Sequence, residues 1–138
     1  MLCMLWGWNS EDFREFGRQM SYREALEAAD ARVLKFTTFG SWQGEWAALV
    51  EYKGKTGWVR GSFGSCSMCD AFRSEFGYDY HDDEDYKRRL ADFGETYLDG
   101  LTTTEKLAAY FDEAADWDVE SEIAANWIRE TGDSYKVQ

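Results

Sequence analysis

Three cysteines and one histidine are the side chains in this chain that are best suited to binding metals or to nucleophilic chemistry. Cys66 and Cys69 form a Cys-x-x-Cys pair directly after the glycine-rich segment 61–65. This spacing suits a zinc site, for which Cys3 and His81 are the remaining soft ligands. At the start of a helix the same pair would favour a thiolate and permit redox chemistry.

Two observations weaken both of these interpretations. The segments before the cysteine pair read as a β-hairpin rather than the βαβ unit typical of thiol redox proteins, and the chain has no proline to form a cis-proline site. Two small side chains packed in a tight loop are the simplest interpretation. We therefore expect no catalytic residues and no enzymatic activity. We also expect no obligatory cofactor, with zinc as the one metal that these residues could hold.

The glycine-rich segment could also bind an anion, because glycines let successive backbone N–H groups point at one ligand. It lacks the Gly-Lys-Ser/Thr ending of a phosphate-binding loop. Arg60 and Arg73 are the nearest cations. The alternative functional hypothesis is therefore a small-ligand or zinc-binding module centred on residues 61–70.

Charge is the most distinctive property of the chain. It has 27 Asp and Glu against 15 Lys and Arg, a formal net charge of −12. Residues 1–69 carry 8 of each kind and are neutral, so the whole excess of 19 acidic over 7 basic residues lies in 70–138. Such a field repels nucleic acid and anionic membranes and attracts basic protein surfaces. We expect a basic protein partner, no direct nucleic-acid binding and no membrane association.

The start of the chain lacks the basic region of a secretory signal, and no apolar run reaches the ~18 residues of a membrane span. The odd number of cysteines argues against a disulfide framework. These observations predict a cytoplasmic protein.

The spacing of apolar residues predicts helices before a set of strands. Residues 10–17 and 21–29 have helical spacing, and Ser21 begins a capping box for the second of them. Segment 32–39 is β-branched and aromatic, 45–53 alternates in polarity, and 56–62 returns after a glycine turn. These three segments predict an antiparallel meander.

The remainder of the chain predicts helices. The first covers 66–76, the next runs from a cap at Asp82 or Asp83 to about Leu98, and two more follow capping signals at 102–105 and at Asp116 or Asp118. The spacing predicts the inward residues of the last three helices, which are Tyr86, Leu90, Phe93 and Tyr97 in the first, Leu107, Ala108 and Phe111 in the second, and Val119, Ile123, Trp127 and Ile128 in the third. The third of these helices is expected to end at Gly132.

We therefore expect one α+β domain over residues 1–138, with a three-stranded antiparallel meander packed against N-terminal and C-terminal helices. Within this domain, residues 1–69 are neutral and contain both helices and strands, whereas residues 70–138 are acidic and mainly helical.

Three motifs give the chain a resemblance to other proteins. Trp42-Gln43-Gly44-Glu45-Trp46 is followed by a G-S-x-G-S-C-S-x-C-D run over 61–70 and a later Asp116-Trp117-Asp118 step. Together, over roughly residues 20–130, they resemble a group of small phage and bacterial proteins to which no activity is assigned. The resemblance and the acidic half imply a phage-type accessory protein, which would act in the host cytoplasm by inhibiting a host defence protein.

Regularly spaced carboxylates on helices can imitate a row of phosphates. Duplex DNA carries one charge per ~1.7 Å, so twelve charges match about 20 Å of duplex. The main hypothesis is therefore a nucleic-acid mimic that occupies the basic groove of a CRISPR or restriction complex. The predicted partner-binding residues are Asp85, Asp92, Glu95, Asp99, Asp112, Glu113, Asp116, Asp118, Glu120 and Glu122.

Overall fold

A computed structural model describes residues 21–40, 44–64, 70–77, 83–114 and 119–137. Its elements, in order, are α1 over 21–28, β1 Arg32–Gly40, β2 Gly44–Tyr52, β3 Lys55–Phe63, α2 Ala71–Phe76, α3 Glu84–Leu98, α4 Thr104–Ala114 and α5 Val119–Tyr135. The predicted α+β class is confirmed, with one antiparallel sheet and helices from both ends of the chain. The helix expected over 10–17 lies outside the described residues.

The sheet has the strand order β1-β2-β3 and is antiparallel throughout. Lys53 and Gly54 join β2 to β3, and both have a positive φ, of 52° and 79°. Positive φ at both central residues is the requirement of the two-residue turn that suits the right-handed twist of a hairpin. This turn fixes the register from Tyr52↔Lys55 to Gly44↔Phe63, and so decides which side chains share a face.

Both faces of the central strand are buried. Trp46, Ala48 and Val50 pack into one core, whereas Ala47 and Leu49 pack into another on the opposite face. The sheet is therefore the middle of three layers. We call α1, α2 and α3 the first layer, and α4 and α5 the second layer.

The first layer packs on Trp46 with a dense set of aromatic side chains. Tyr22, Tyr97 and Phe36 have ring centroids 5.0 to 5.3 Å from the Trp46 ring. The predicted inward stripe of α3 packs in this layer, and its cap is Asp83, whose carboxylate accepts from the N–H of Tyr86 at 2.7 Å. The helical prediction is correct here because the stripe and the cap are local signals.

The second layer buries α4 as expected, with Leu107, Ala108 and Phe111 inward. Thr103 caps α4 by accepting from the N–H of Lys106 at 3.2 Å. Ile128 is buried in α5, but the prediction for Ile123 is wrong, because its side chain is 52% exposed.

The expected end of α5 at Gly132 is also wrong, since the helix continues to Tyr135. Gly132 instead allows α5 to approach α4: a Cβ at this position would lie 2.6 Å from the side chain of Thr104. Close approach also explains why the small residues Ala124 and Ala125 are buried.

The helix predicted over 66–76 begins later than expected. Asp70 has the extended backbone of an N-cap, with φ −126° and ψ 118°, so α2 covers only Ala71–Phe76. An aspartate whose side chain accepts from the third N–H of a helix is a favourable start signal, and it sets the boundary here.

One short crossing joins the two layers. Between α3 and α4, Thr102 exchanges two 2.9 Å backbone hydrogen bonds with Trp58 at the outer edge of β3.

Among the residues that the structure describes, no helix has both the length and the apolar character that a bilayer span requires.

Candidate functional site

The acidic residues predicted to bind a partner are divided between the two layers. Asp85, Asp92, Glu95 and Asp99 belong to α3 and its end, whereas Asp112, Glu113, Glu120 and Glu122 belong to α4 and α5. All eight are exposed. The sheet separates the two layers, so the structure places these side chains in two groups, and their action as one surface stays a prediction. Asp116 and Asp118 lie outside the described residues.

Within the part of the chain that the structure describes, Asp85 and Asp112 are paired with arginines. Asp85 pairs with Arg88 within α3. Asp112 accepts from Arg129 of α5 at 2.6 Å, and Glu105 lies 3.6 Å from the same guanidinium. The hydrogen bond from Arg129 lowers the pKa of Asp112 below its usual range. These pairs connect neighbouring helical turns or helices, so a partner would have to displace an arginine to reach these two carboxylates.

Asp92, Glu95 and Asp99 form a different arrangement, which we call the α3 row. All three are exposed, and none has an ion pair with another described residue. Their spacing of three and four residues places them on one side of the helix. Seven residues of helix rise ~10 Å, so the α3 row has one charge per ~5 Å, about two-thirds of the density of a DNA strand with one phosphate per ~3.4 Å.

Glu113, Glu120 and Glu122 form the second acidic surface, which we call the α4–α5 carboxylates. They lie around the junction of the two helices, in a stretch of sequence that has six acidic and no basic residues from 112 to 122. Glu120 and Glu122 lie in the first turn of α5, where the helix dipole favours negative charge. Two surfaces on opposite sides of the sheet cannot both enter one flat cleft.

A buried polar cluster lies where the glycine-rich segment ends. Asp70 is 4% exposed and accepts from the hydroxyl of Tyr22 at 2.9 Å, from the N–H of Gly64 at 3.0 Å and from the N–H of Arg73 at 3.0 Å. Burial raises the pKa of Tyr22 far above the ordinary tyrosine value, and the neighbouring carboxylate raises this pKa further. Asp70 thereby fixes both ends of the segment between Gly64 and α2.

The predicted metal ligands Cys66, Cys69, Cys3 and His81 lie outside the described residues, so zinc binding remains a prediction. Among the residues that are described, no group of three or more His, Cys, Asp and Glu side chains is placed to hold a metal ion. The anion-binding hypothesis at 61–65 also remains a prediction, since the last residue of that segment is not described.

A third feature joins β2, β3 and α4. Arg60 donates to the carboxylate of Glu45 at 2.7 Å, and its guanidinium carbon lies 3.9 Å from the ring centroid of Tyr110. The hydroxyl of Tyr110 donates to the same carboxylate at 3.1 Å. Burial raises the pKa of Tyr110, and the charge of Glu45 raises it further. The guanidinium of Arg60 is therefore held by the carboxylate of Glu45 and by the aromatic face of Tyr110.

Sequence reasoning missed the Asp70 cluster and the Glu45–Arg60–Tyr110 contact. Asp70 does carry a local signal, because an aspartate directly before a helix is a favoured N-cap, and here it accepts from the N–H of Arg73. The hairpin turn at Gly54 fixes the register that places Arg60 diagonally opposite Glu45. The contact with Tyr110 has no local signal, because it depends on the face of the sheet that α4 covers.

The chain was compared with protein-family models, curated proteins and solved structures, and nothing matches it in any of the three.

Proposed function

We propose that this protein is a non-enzymatic inhibitor that binds a basic cleft of a host nucleic-acid-binding defence protein, such as a CRISPR or restriction complex. The α3 row is the observation that carries the proposal. It presents three exposed carboxylates without ion pairs to described residues, on one side of a helix whose opposite side is packed in the core. A phage-encoded protein of this kind would act in the host cytoplasm.

The two acidic surfaces have different roles in this proposal. The α3 row makes the close contacts with lysines and arginines of the partner, so it governs the lifetime of the complex. The α4–α5 carboxylates lie on the other side of the sheet, so they act through the long-range field. Charges outside a contact change mainly the association rate and its dependence on salt.

The first experiment identifies partners and tests the mimicry itself. The full chain is used to capture proteins from host lysate at low salt, and the captured protein is challenged with duplex DNA and with salt. We expect DNA to displace it, because both ligands compete for one cleft, and we expect salt to weaken the complex steeply. A complex that resists both DNA and about 0.5 M salt contradicts the proposal.

The second experiment compares two triple variants with the same change in net charge. Asp92→Lys/Glu95→Lys/Asp99→Lys should weaken binding of the captured partner roughly 100-fold, since three contacts of ~1 kcal/mol each are lost. Glu113→Lys/Glu120→Lys/Glu122→Lys should mainly slow association. Circular dichroism establishes that both variants are folded.

The two triple variants also define the result that would reject the proposed surface. If the first triple leaves the dissociation rate unchanged, the α3 row does not contact the partner. If both triples reduce binding equally and only through association, net charge alone explains the interaction, and the mimicry of a phosphate row is wrong.

A further inference from the structure

An open groove of about 390 Å³ lies at the outer edge of β3, between the end of α3 and the first turns of α4. Val59, Tyr97 and Leu107 give it an apolar lining. Its polar rim includes Arg60 and Lys106. None of the carboxylates assigned above to partner binding lines the groove, although its lining residues Thr96 and Gly100 adjoin Glu95 and Asp99 of the α3 row in the chain.

The charge of this groove is opposite to that of the whole molecule. None of the lining residues that the structure describes is acidic, although the chain has a net charge of −12. Lys106 forms no ion pair with any residue that the structure describes. Glu45 offsets the charge of Arg60, so the ammonium of Lys106 remains as the uncompensated charge of the groove.

Arg60 is held in place before any ligand binds. One of its terminal nitrogens donates to Glu45, and the plane of Tyr110 lies against the guanidinium. A guanidinium has five N–H donors, so donors remain for a second anion. Because the side chain is already ordered, a ligand would gain these hydrogen bonds with a smaller loss of conformational entropy.

The edge of the sheet adds a backbone donor. In an antiparallel strand, the N–H and C=O groups of alternate residues point to the same side. Those of Trp58 point outward to Thr102, so those of Arg60, two residues later, also point outward. The N–H of Arg60 has no hydrogen-bond partner among the described residues. It therefore faces the same edge as the groove.

We propose that this groove binds a small organic phosphate with a planar apolar body, the chemical class to which nucleotides belong. The guanidinium of Arg60, the ammonium of Lys106 and the outward N–H of Arg60 are donors to the phosphate, which such charged donors bind strongly. The planar body contacts mainly the half-buried ring of Tyr97, since Val59 and Leu107 beneath it are almost fully buried. The volume is within the range of ~300–1,000 Å³ for small-molecule sites. This proposal is independent of the proposed function.

The test uses AMP as the probe with the ¹⁵N-labelled full chain. We expect AMP to shift the amide signals of Arg60, Gly100 and Lys106 with a Kd below about 1 mM. Adenosine lacks the phosphate, and inorganic phosphate lacks the planar body, so each should bind at least ~10-fold more weakly than AMP.

Matched variants assign the site. Lys106→Ala should weaken AMP binding about tenfold, whereas Lys35→Ala, which removes an exposed lysine from the opposite edge of the sheet, should not change it. Arg60→Lys keeps the charge but removes the forked donor, and should also weaken AMP binding. The proposal is wrong if about 5 mM AMP shifts none of these signals, if adenosine or inorganic phosphate binds as well as AMP, or if Lys35→Ala and Lys106→Ala have equal effects.

Discussion

Trp46 and Trp58 lie on opposite faces of the sheet, and both are fully buried. The indole N–H of Trp58 donates to the hydroxyl of Thr104 at 2.9 Å. The indole N–H of Trp46 has no hydrogen-bond partner among the described residues, and the nitrogen edge of its ring lies against Gly61. One large side chain is thus oriented by a hydrogen bond, and the other by the shape of its surroundings.

The surroundings of the two indoles differ in the same way, with close packing around Trp46 and additional polar contacts around Trp58. The first layer surrounds Trp46 with aromatic rings and brings α3 against the backbone of α1 at Gly94. The second layer joins its helices through polar contacts, with Thr104 also donating to the carbonyl of Val137 at 3.2 Å and Arg129 bridging α4 and α5. The comparison indicates that close packing alone orients the indole of Trp46, whereas polar contacts add to close packing around Trp58.

The largest expected effect tests packing in the first layer. In Gly94→Ala the new Cβ would lie 1.9 Å from the carbonyl oxygen of Ala25, so α1 and α3 must separate. We expect the free energy of unfolding in urea to fall by about 3 kcal/mol or more. Gly100→Ala is the matched control, since the nearest atom to its Cβ is 3.8 Å away. Equal stability of the two variants would contradict the close approach of the helices.

A smaller effect is expected from Thr104→Val in the second layer. This change keeps the shape of the side chain but leaves the indole N–H of Trp58 buried without an acceptor, as it is in Trp46. An unsatisfied buried donor costs about 1–3 kcal/mol, measured as the decrease in the free energy of unfolding. Thr104→Ser retains the hydroxyl and should lose less. If valine and serine behave alike, the hydrogen bond does not stabilise this layer.

A loss of stability at alkaline pH is also expected from the first layer, where burial raises the pKa of both Tyr22 and Tyr97. Burial raises the pKa of Tyr97 from 10.0 to about 12. Because this pKa is higher in the folded state than in the unfolded chain, the contribution of Tyr97 is fully present below pH 10 and is lost as the pH rises toward 12. Unfolding in urea at several alkaline pH values should show this decline.

Two tyrosine variants measure the share of Tyr97 in the alkaline effect, since burial raises the pKa of Tyr22 as well. Tyr97→Phe should make the free energy of unfolding less dependent on pH above 10, since the titrating hydroxyl is absent. Tyr110→Phe should change this dependence less, because Tyr110 is 40% exposed in the second layer. A steeper dependence for Tyr97→Phe than for the natural chain would contradict the assignment.

Local patterns in the sequence predict much of this fold. The turn at Gly54 defines the hairpin of β2 and β3, and the stripe of α3 identifies its buried side. The sequence does not show which face of the sheet each helix covers, because that depends on contacts between distant residues. For this reason, the sequence does not show that the acidic residues of α3 and those of α4–α5 belong to different layers.

The errors in α5 have a related cause. Apolar periodicity favours large residues such as Ile123 as the buried ones, but close packing against α4 selects small residues, including Ala124 and Gly132. The groove at Arg60 could not be predicted either, since it is formed by a strand edge and two helices that meet only in the folded chain. The candidate site is thus less predictable than the fold.

The short crossing at Thr102 affects how two copies of the chain can associate. Within the described residues, α4 and α5 connect to the preceding elements only through this segment, and they pack mainly on each other and on the far side of the sheet. In a domain-swapped dimer, such a helical pair would leave its own sheet and occupy the same position on a second molecule, with its contacts retained. The segment from Gly100 to Thr103 would then be the hinge of a domain-swapped dimer, and its two hydrogen bonds to Trp58 favour the closed monomer.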